Sequence, residues 1–466
     1  MASPTSLIIF GATGDLAAKK VIPALFYLFE KEKLPHNFSI IGVSRRDMGQ
    51  GEFKELVAGI ITKYARERLD QRALDRFLDL FTFSQVGFEE EQGYQNLSNT
   101  LEAIDHSHGK TNRLLYLALP PKLLSSIFAH PGFHSIVKQG VSGGLLPRVI
   151  VEKPFGVDAA SAEALETSLA NCFTEEQIYR VDHYLAKDIL QSMMDFRFDN
   201  NLLEHEWNKD SVDSIRVRLF ETLGVENRGG FYDHTGALRD VGQNHMLEML
   251  ALITMEKPLS FEAKDLRVKR LEILRALKAP TEQTASETTF RAQHKGYQSI
   301  PGIDPDSDTE TFFSIRTELD LPRWKGVPVY LEAGKRMHEA RKEVIVSFKA
   351  PYKNTVIFRL EPQEEIVIEF MTKKPGILET GVEKRAFTFK LHETPSGTQA
   401  IAEYAKMMLD ATNGDSKLFV SADEVRATWK FVDAVRAGWE KNLPPLASYA
   451  PDTDEAAVAA NAIILK

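Results

Sequence analysis

Short unbroken apolar runs dominate the first part of the chain. Leu7 to Phe10, Phe38 to Ser44, Arg113 to Leu119 and Pro147 to Val151 read as strands buried on both faces, the signature of a parallel sheet between helices. Residues 52 to 80 interleave charges with Phe53, Leu56, Ile60 and Tyr64, the spacing of solvated helices. From about residue 177 the texture changes. Ser214 to Phe220, Thr311 to Arg316, Val327 to Leu331, Val344 to Phe348, Val356 to Leu360, Ile366 to Phe370 and Phe387 to Leu391 follow with few helices between them. Several alternate polar and apolar positions, as half-buried antiparallel strands do. Helices are expected before this block, with Leu185, Ile189, Met193 and Phe196 on one stripe and a second helix from Asp240, and after it from Glu424 to Trp439. The pattern predicts α/β + α+β: an α/β domain over 1–176, then an α+β domain over 177–466 with a large mainly antiparallel sheet. That sheet must bury at least one face, against its helices or another subunit. Pro301 to Asp308 reads as a surface loop, and Pro451 onward as a short alanine-rich helix or tail.

Chemistry-bearing residues collect at strand ends. The first run delivers Gly11-Ala12-Thr13-Gly14-Asp15-Leu16-Ala17 and then a helix. Strand, glycine turn and helix is the Rossmann-like dinucleotide-binding arrangement, in which glycine lets the backbone approach a pyrophosphate at the helix N-terminus. The second strand ends in Arg45-Arg46, where an NAD enzyme usually carries an acid. A guanidinium there favours the 2′-phosphate of NADP. Lys153 follows the strand ending at Val151, well placed to reach a cofactor or substrate. Arg180 to Lys187 packs Asp182, His183, Tyr184 and Lys187 into six positions. Read as a helix, the octet sets His183 and Lys187 one above the other near the helix's positive end, an anion site. Asp240, Asn244 and His245 begin an apolar helix, where a histidine is either a catalyst or a satisfied core residue.

Net charge of −9 disfavours nucleic acid as a partner. Cys172 is the only cysteine, so no intramolecular disulfide can form, which suits a reducing cytoplasm. No run of about 18 apolar residues occurs, and Met1 to Ser6 lack a basic signal-like start. A cytoplasmic enzyme with no membrane span is expected.

Together these motifs resemble the glucose-6-phosphate dehydrogenase family. The resemblance runs from Ile9 to about Pro445 and also takes in Glu152-Lys153-Pro154-Phe155-Gly156, Arg228 to Asp233, Arg239-Asp240 with Gln243-Asn244-His245, and Asn413 to Val425. It implies oxidation of D-glucose 6-phosphate at C1 to the 6-phosphogluconolactone with hydride transfer to NADP, with NAD as a weaker alternative, in the oxidative pentose phosphate pathway. It implies His245 as general base, Asp182 as the carboxylate behind it and Lys153 beside the nicotinamide. His183, Tyr184 and Lys187 correspond to the 6-phosphate grip, and Lys153, Glu221, Asp240 and Lys335 to further substrate contacts. Gly11, Thr13, Gly14, Asp15 and Leu16 correspond to the pyrophosphate turn, and Arg45 to the 2′-phosphate. No metal is implied, and the expected assembly is a homodimer or homotetramer through the second domain's sheet. The alternatives are a dehydrogenase of another sugar or sugar phosphate and a non-catalytic NADP-binding sensor. Three positions depart from the family: Ala186 for a usual glycine, Ala340 (followed by Arg341) for a usual arginine, and Glu361 for a usual glutamine near the sugar. The segment from Pro444 lacks the family's common glycine-rich ending, so a second, structural NADP site is not expected.

Overall fold

The computed structural model describes residues 4–64, 69–139, 145–200, 204–226, 228–351, 353–376, 381–392 and 399–465. The chain forms two compact units: Met1–Gly156 with Ala160–Ala186 and Ser396–Ala422, and Val157–Ala159 with Lys187–Pro395 and Asp423–Lys466. A single division after residue 176, as the sequence suggests, therefore differs from the folded units. The chain re-enters the first unit after a long excursion, which no local pattern announces.

The first unit is built on β1 (Thr5–Phe10), β2 (Phe38–Ser44), β3 (Phe81–Gln85), β4 (Asn112–Leu117), β5 (Arg148–Glu152) and β6 (Ile178–Val181). Their order is β6-β5-β4-β1-β2-β3, all parallel, with the short strand Phe419–Val420 pairing antiparallel to β6 at the edge. The apolar runs are buried as their composition predicts; every residue of β1 and β2 is inaccessible or nearly so. Strand order reverses between β1 and β4, so their C-terminal ends open a crevice at the switch point. Helix Ile22–Glu30 buries Ile22, Ala24, Leu25, Phe26 and Leu28, and the returning helix Gln399–Asn413 packs against it.

The second unit carries the expected sheet. Its strands are β7 (Val212–Phe220), β8 (Thr289–His294), β9 (Phe312–Glu318), β10 (Pro328–Gly334), β11 (Arg341–Phe348), β12 (Thr355–Glu361), β13 (Glu365–Lys373) and β14 (Val382–Lys390). They lie in the order β14-β13-β12-β11-β7-β10-β9-β8, followed by the short strand Ala447–Tyr449. Two of these pairings are parallel, β7 with β10 and β8 with the short strand, and the others are antiparallel. One face presents Val217, Val344, Phe358 and their neighbours, all buried. The helix Asp188–Phe198 covers part of this face, with Phe196 edge-on to Phe358 at 5.4 Å. On the other face Arg216 and Arg218 both pair with Glu332, and Arg218 and Arg359 with Glu343. Ion pairing across neighbouring strands lets a charged face be buried. The tail forms a helix, Glu455–Ile464, whose Ala456, Ala460 and Ile464 join Phe312 and Tyr449 in a second core. No helix among the described residues is long and apolar enough to cross a membrane.

One local expectation is corrected. Arg180 to Lys187 is not one helix: β6 ends at Val181, His183–Ala186 is a 3-10 turn, and Lys187 is extended (φ −64°, ψ 134°) ahead of the helix that starts at Asp188. His183 and Lys187 therefore do not stack one turn apart. The parallel pairing of β6 with β5 claims the first residues of the octet and overrides its helical spacing.

Candidate active site

In the first unit, β1 runs directly into Gly11, whose φ of +83° only glycine adopts without strain. A Cβ at Gly11 would lie 2.4 Å from the Ala118 carbonyl oxygen, so the turn is pressed against the end of β4. The Gly14 amide closes it by donating to the Gly11 carbonyl at 2.9 Å. Thr13 Oγ1 and Ser44 Oγ share a hydrogen bond of 2.8 Å, tying the turn to the end of β2. The Arg45 guanidinium lies over the Phe88 ring, 5.6 Å from its centroid, and Gly11, Thr13, Gly14, Ser44, Arg45 and Arg46 line one cleft. A glycine turn at a strand end, with a helix behind it, is the arrangement that holds a nicotinamide dinucleotide. Asp15 is exposed, and its carboxylate accepts from Lys19 at 2.6 Å. Leu16 opens the following helix.

A second group lies at the C-terminal ends of β5 and β6. Register pairs Glu152 with Val181, which sets Lys153 beside Asp182 at two adjacent strand ends. Asp182 is buried and accepts the Tyr184 backbone N–H at 3.0 Å. Tyr116 donates its hydroxyl to Glu152. Loss of hydration pushes the Glu152 carboxyl up to about 7; Tyr116 and Lys153 oppose the rise and Asp182 adds to it. His183 stacks on Tyr404 (6.1 Å, 27°) and meets Tyr184 edge-on, and Lys20 Nζ sits 5.6 Å from the centre of the same Tyr404 ring. Lys20, Tyr116 and Tyr404 were not singled out by sequence. Tyr404 belongs to the segment that re-enters this unit, and only the fold brings it here.

In the second unit, parallel pairing of β7 with β10 matches Phe220 to Gly334. The next residues, Glu221 and Lys335, form an ion pair. Lys335 also lies 3.7 Å from Asp240, which in turn meets Arg228 at 3.4 Å. Lys342 on β11 reaches Glu221 at 3.2 Å and Glu361 at 2.9 Å, and Glu361 approaches Lys187 at 4.0 Å. Burial alone would push the Glu221 carboxyl up, but the ammoniums of Lys335 and Lys342 outweigh it and hold it at about 2. Lys187, Glu221, Asp240 and Lys335 are thus brought into one alternating chain of charges. Sequence reading missed Lys342, which belongs to the strand but does not continue any motif.

His245 lies on a helix that is π-helical from Leu238 to Met246 before continuing as Leu247–Thr254. It is 2% exposed, and its backbone N–H donates to Asn244 Oδ1 at 2.7 Å. In an α-helix, residues five apart point roughly 140° away from each other. Bonding from i to i+5 widens the turn and brings such residues toward one face, so Asp240 and His245 share a side that α-helical spacing would separate. Elsewhere in this unit Asp188, Glu364 and His392 bring one possible metal-ligating atom each within 4.8 Å of one another. Sequence spacing showed no such group, because its members come from three separated segments.

Residues 8–192 match the family model described as glucose-6-phosphate dehydrogenase, NAD binding domain, and residues 194–464 the corresponding C-terminal domain. The glucose-6-phosphate 1-dehydrogenase of Treponema pallidum is 35% identical, over 96% of this chain and 91% of its own length. A solved structure described as glucose-6-phosphate dehydrogenase in complex with its substrate glucose 6-phosphate is 29% identical, with a TM-score of 0.87 over 97% of this chain and 95% of that one. The glucose-6-phosphate 1-dehydrogenase of Mycobacterium avium is 31% identical with a TM-score of 0.83, over 97% and 94%.

Proposed function

Since this chain belongs to the glucose-6-phosphate dehydrogenase family, we propose that it oxidises D-glucose 6-phosphate at C1 to 6-phospho-D-glucono-1,5-lactone, with NADP as the preferred acceptor, in the cytoplasm. The observation that carries this reading is the likeness, over nearly the whole of both chains, to a relative solved with that sugar phosphate bound.

A bound nicotinamide supplies the acceptor for the C1 hydride. The chain's own residues do the rest. His245 is the proposed base for the C1 hydroxyl proton, since imidazole is the side chain that takes and gives protons near neutral pH. Lys153 and Asp182 are assigned to the reacting end of the sugar, and His183 and Tyr184, with Lys187, to the 6-phosphate. Lys187, Glu221, Asp240 and Lys335 are assigned to holding the phosphate and hydroxyls, with ammonium groups facing the anion. The turn from Gly11 to Leu16 is assigned to the pyrophosphate, and Arg45 to the 2′-phosphate. No step is routed through a metal.

A homo-oligomer through the sheet forms part of the proposal. Phe370, Phe387 and Phe389 lie on one face of β13 and β14, continuous with the buried face, yet they are 41%, 58% and 55% exposed. A second copy covering this face would bury it. Light scattering of Phe387→Asp should then give a smaller particle than the parent.

The test of the reaction is His245→Ala assayed with glucose 6-phosphate and NADP. We expect turnover to fall by about 100-fold or more, with NADP affinity nearly unchanged. Equal loss of both would remove His245 from the role of base.

A further inference from the structure

We infer that Glu361 is a specificity-determining residue: it is an internal counter-ion that bridges Lys187 and Lys342 in the free enzyme and must yield them to the incoming phosphate. The inference rests on the reading that this unit holds a sugar phosphate. Its observations are geometric. One Glu361 oxygen, Oε2, meets Lys342 at 2.9 Å, while Oε1 faces Lys187 at 4.0 Å. Both ammoniums are nearly enclosed, with side chains 7% and 12% exposed, whereas the Glu361 side chain is 38% exposed. Enclosed cations with an accessible acid between them form a site whose anion can be exchanged without dismantling its walls.

Strand geometry puts the acid there. Alternation along β12 would send Glu361 to the same side as Arg359, which pairs with Glu343 and Glu365 on the ion-paired face. Register between β11 and β12 shifts at this point: Lys342 pairs with Glu361, but Glu343 pairs with Arg359. Leu360 is therefore an extra residue, a β-bulge, and bulges re-aim the side chains beside them. The bulge delivers Glu361 to Lys342 and away from the other ladder.

Charge decides the consequence. Lys187, Lys342, Lys335 and, at the far end, Arg228 face Glu361, Glu221 and Asp240, and around Lys187 and Lys342 the two nearest acids, Glu361 and Glu221, match the two cations in number. A phosphate dianion entering so balanced a group gains little until one carboxylate withdraws. Glu221 and Asp240 are the less exposed acids, at 28% and 10%, so Glu361 is the one that swings toward water. A neutral side chain at 361 removes that competition.

The experiment compares Glu361→Gln and Glu361→Ala with the parent by calorimetric titration with inorganic phosphate, and by kinetics with glucose 6-phosphate and unphosphorylated glucose. Both variants should bind phosphate at least about five-fold more tightly, the scale of removing one partly screened like charge beside a dianion. The KM for glucose 6-phosphate should fall in step, and kcat/KM for glucose 6-phosphate should rise relative to that for glucose. Lys342→Ala should loosen phosphate in the opposite sense. Unchanged or weaker phosphate binding in both Glu361 variants would overturn the inference. So would an equal improvement for glucose and its phosphate, which would place the residue against the sugar instead. A parent enzyme that turned over no glucose 6-phosphate would undo the proposed reaction, and the phosphate titration would still decide the role of Glu361.

Discussion

Replacing Arg45 with alanine separates recognition of the two nicotinamide cofactors. The arginine directly follows β2, lines the cleft with Gly11 and Ser44, and lies over Phe88, which supports the guanidinium before any ligand arrives. A charge-assisted hydrogen bond contributes roughly 1.5–3 kcal/mol. Arg45 is exposed, so screening by water and salt places it at the low end, about 1.5–2 kcal/mol. At about 1.4 kcal/mol per decade, that corresponds to about a 10- to 30-fold higher KM for NADP. The KM for NAD, which has no 2′-phosphate, should hardly move. Initial rates with each cofactor at saturating glucose 6-phosphate measure both, and raising ionic strength should shrink the NADP penalty. Equal loss for NADP and NAD would mean that the arginine shapes the cleft rather than reads the phosphate. No loss for either would transfer the role to Arg46, whose backbone N–H is already held by Ser44.

Two further outcomes follow from the geometry. Gly11→Ala places a Cβ 2.4 Å from the Ala118 carbonyl at a φ of +83°; it should destabilise the fold by about 1–3 kcal/mol and weaken both cofactors alike, and a fully stable variant with normal cofactor binding would refute the close approach. Glu152 holds its proton up to about pH 7, whereas an unfolded glutamate loses it near pH 4.5. The parent's stability therefore falls as pH rises through that window, because the folded state binds the extra proton. Glu152→Gln has no such proton, so its melting temperature relative to the parent should rise between about pH 5 and pH 8; a constant offset would show that the carboxyl titrates normally.

Much of the architecture was legible because it depends on local periodicity. The runs at Leu7, Phe38 and Arg113 announced parallel strands, and the stretches around Ser214, Val344 and Val356 announced the antiparallel sheet. What was not legible depends on register or on distant chain. The octet from Arg180 has helical spacing, yet β5 recruits its start as a strand. Lys342 and Glu361 meet through a bulge that no composition reveals. Sequence marked Glu361 as a departure from the family but not the lysine opposite it. The π-helical widening that turns Asp240 and His245 to one side also leaves no trace in an apolar pattern read at 3.6 residues per turn.

The return of Ser396–Ala422 to the first unit has a consequence for how the chain is made. Helix Gln399–Asn413, which covers Ile22–Glu30, and the edge strand beside β6 are synthesised only after the eight long strands of the large sheet. A nascent chain therefore exposes the apolar surface awaiting that helix while the second unit emerges, and domain-by-domain folding from the N-terminus is interrupted. A fragment ending at the boundary of the nucleotide-binding family match, residue 192, would lack both pieces. It should aggregate where the full chain does not, and adding the segment 396–422 as a separate peptide should restore it.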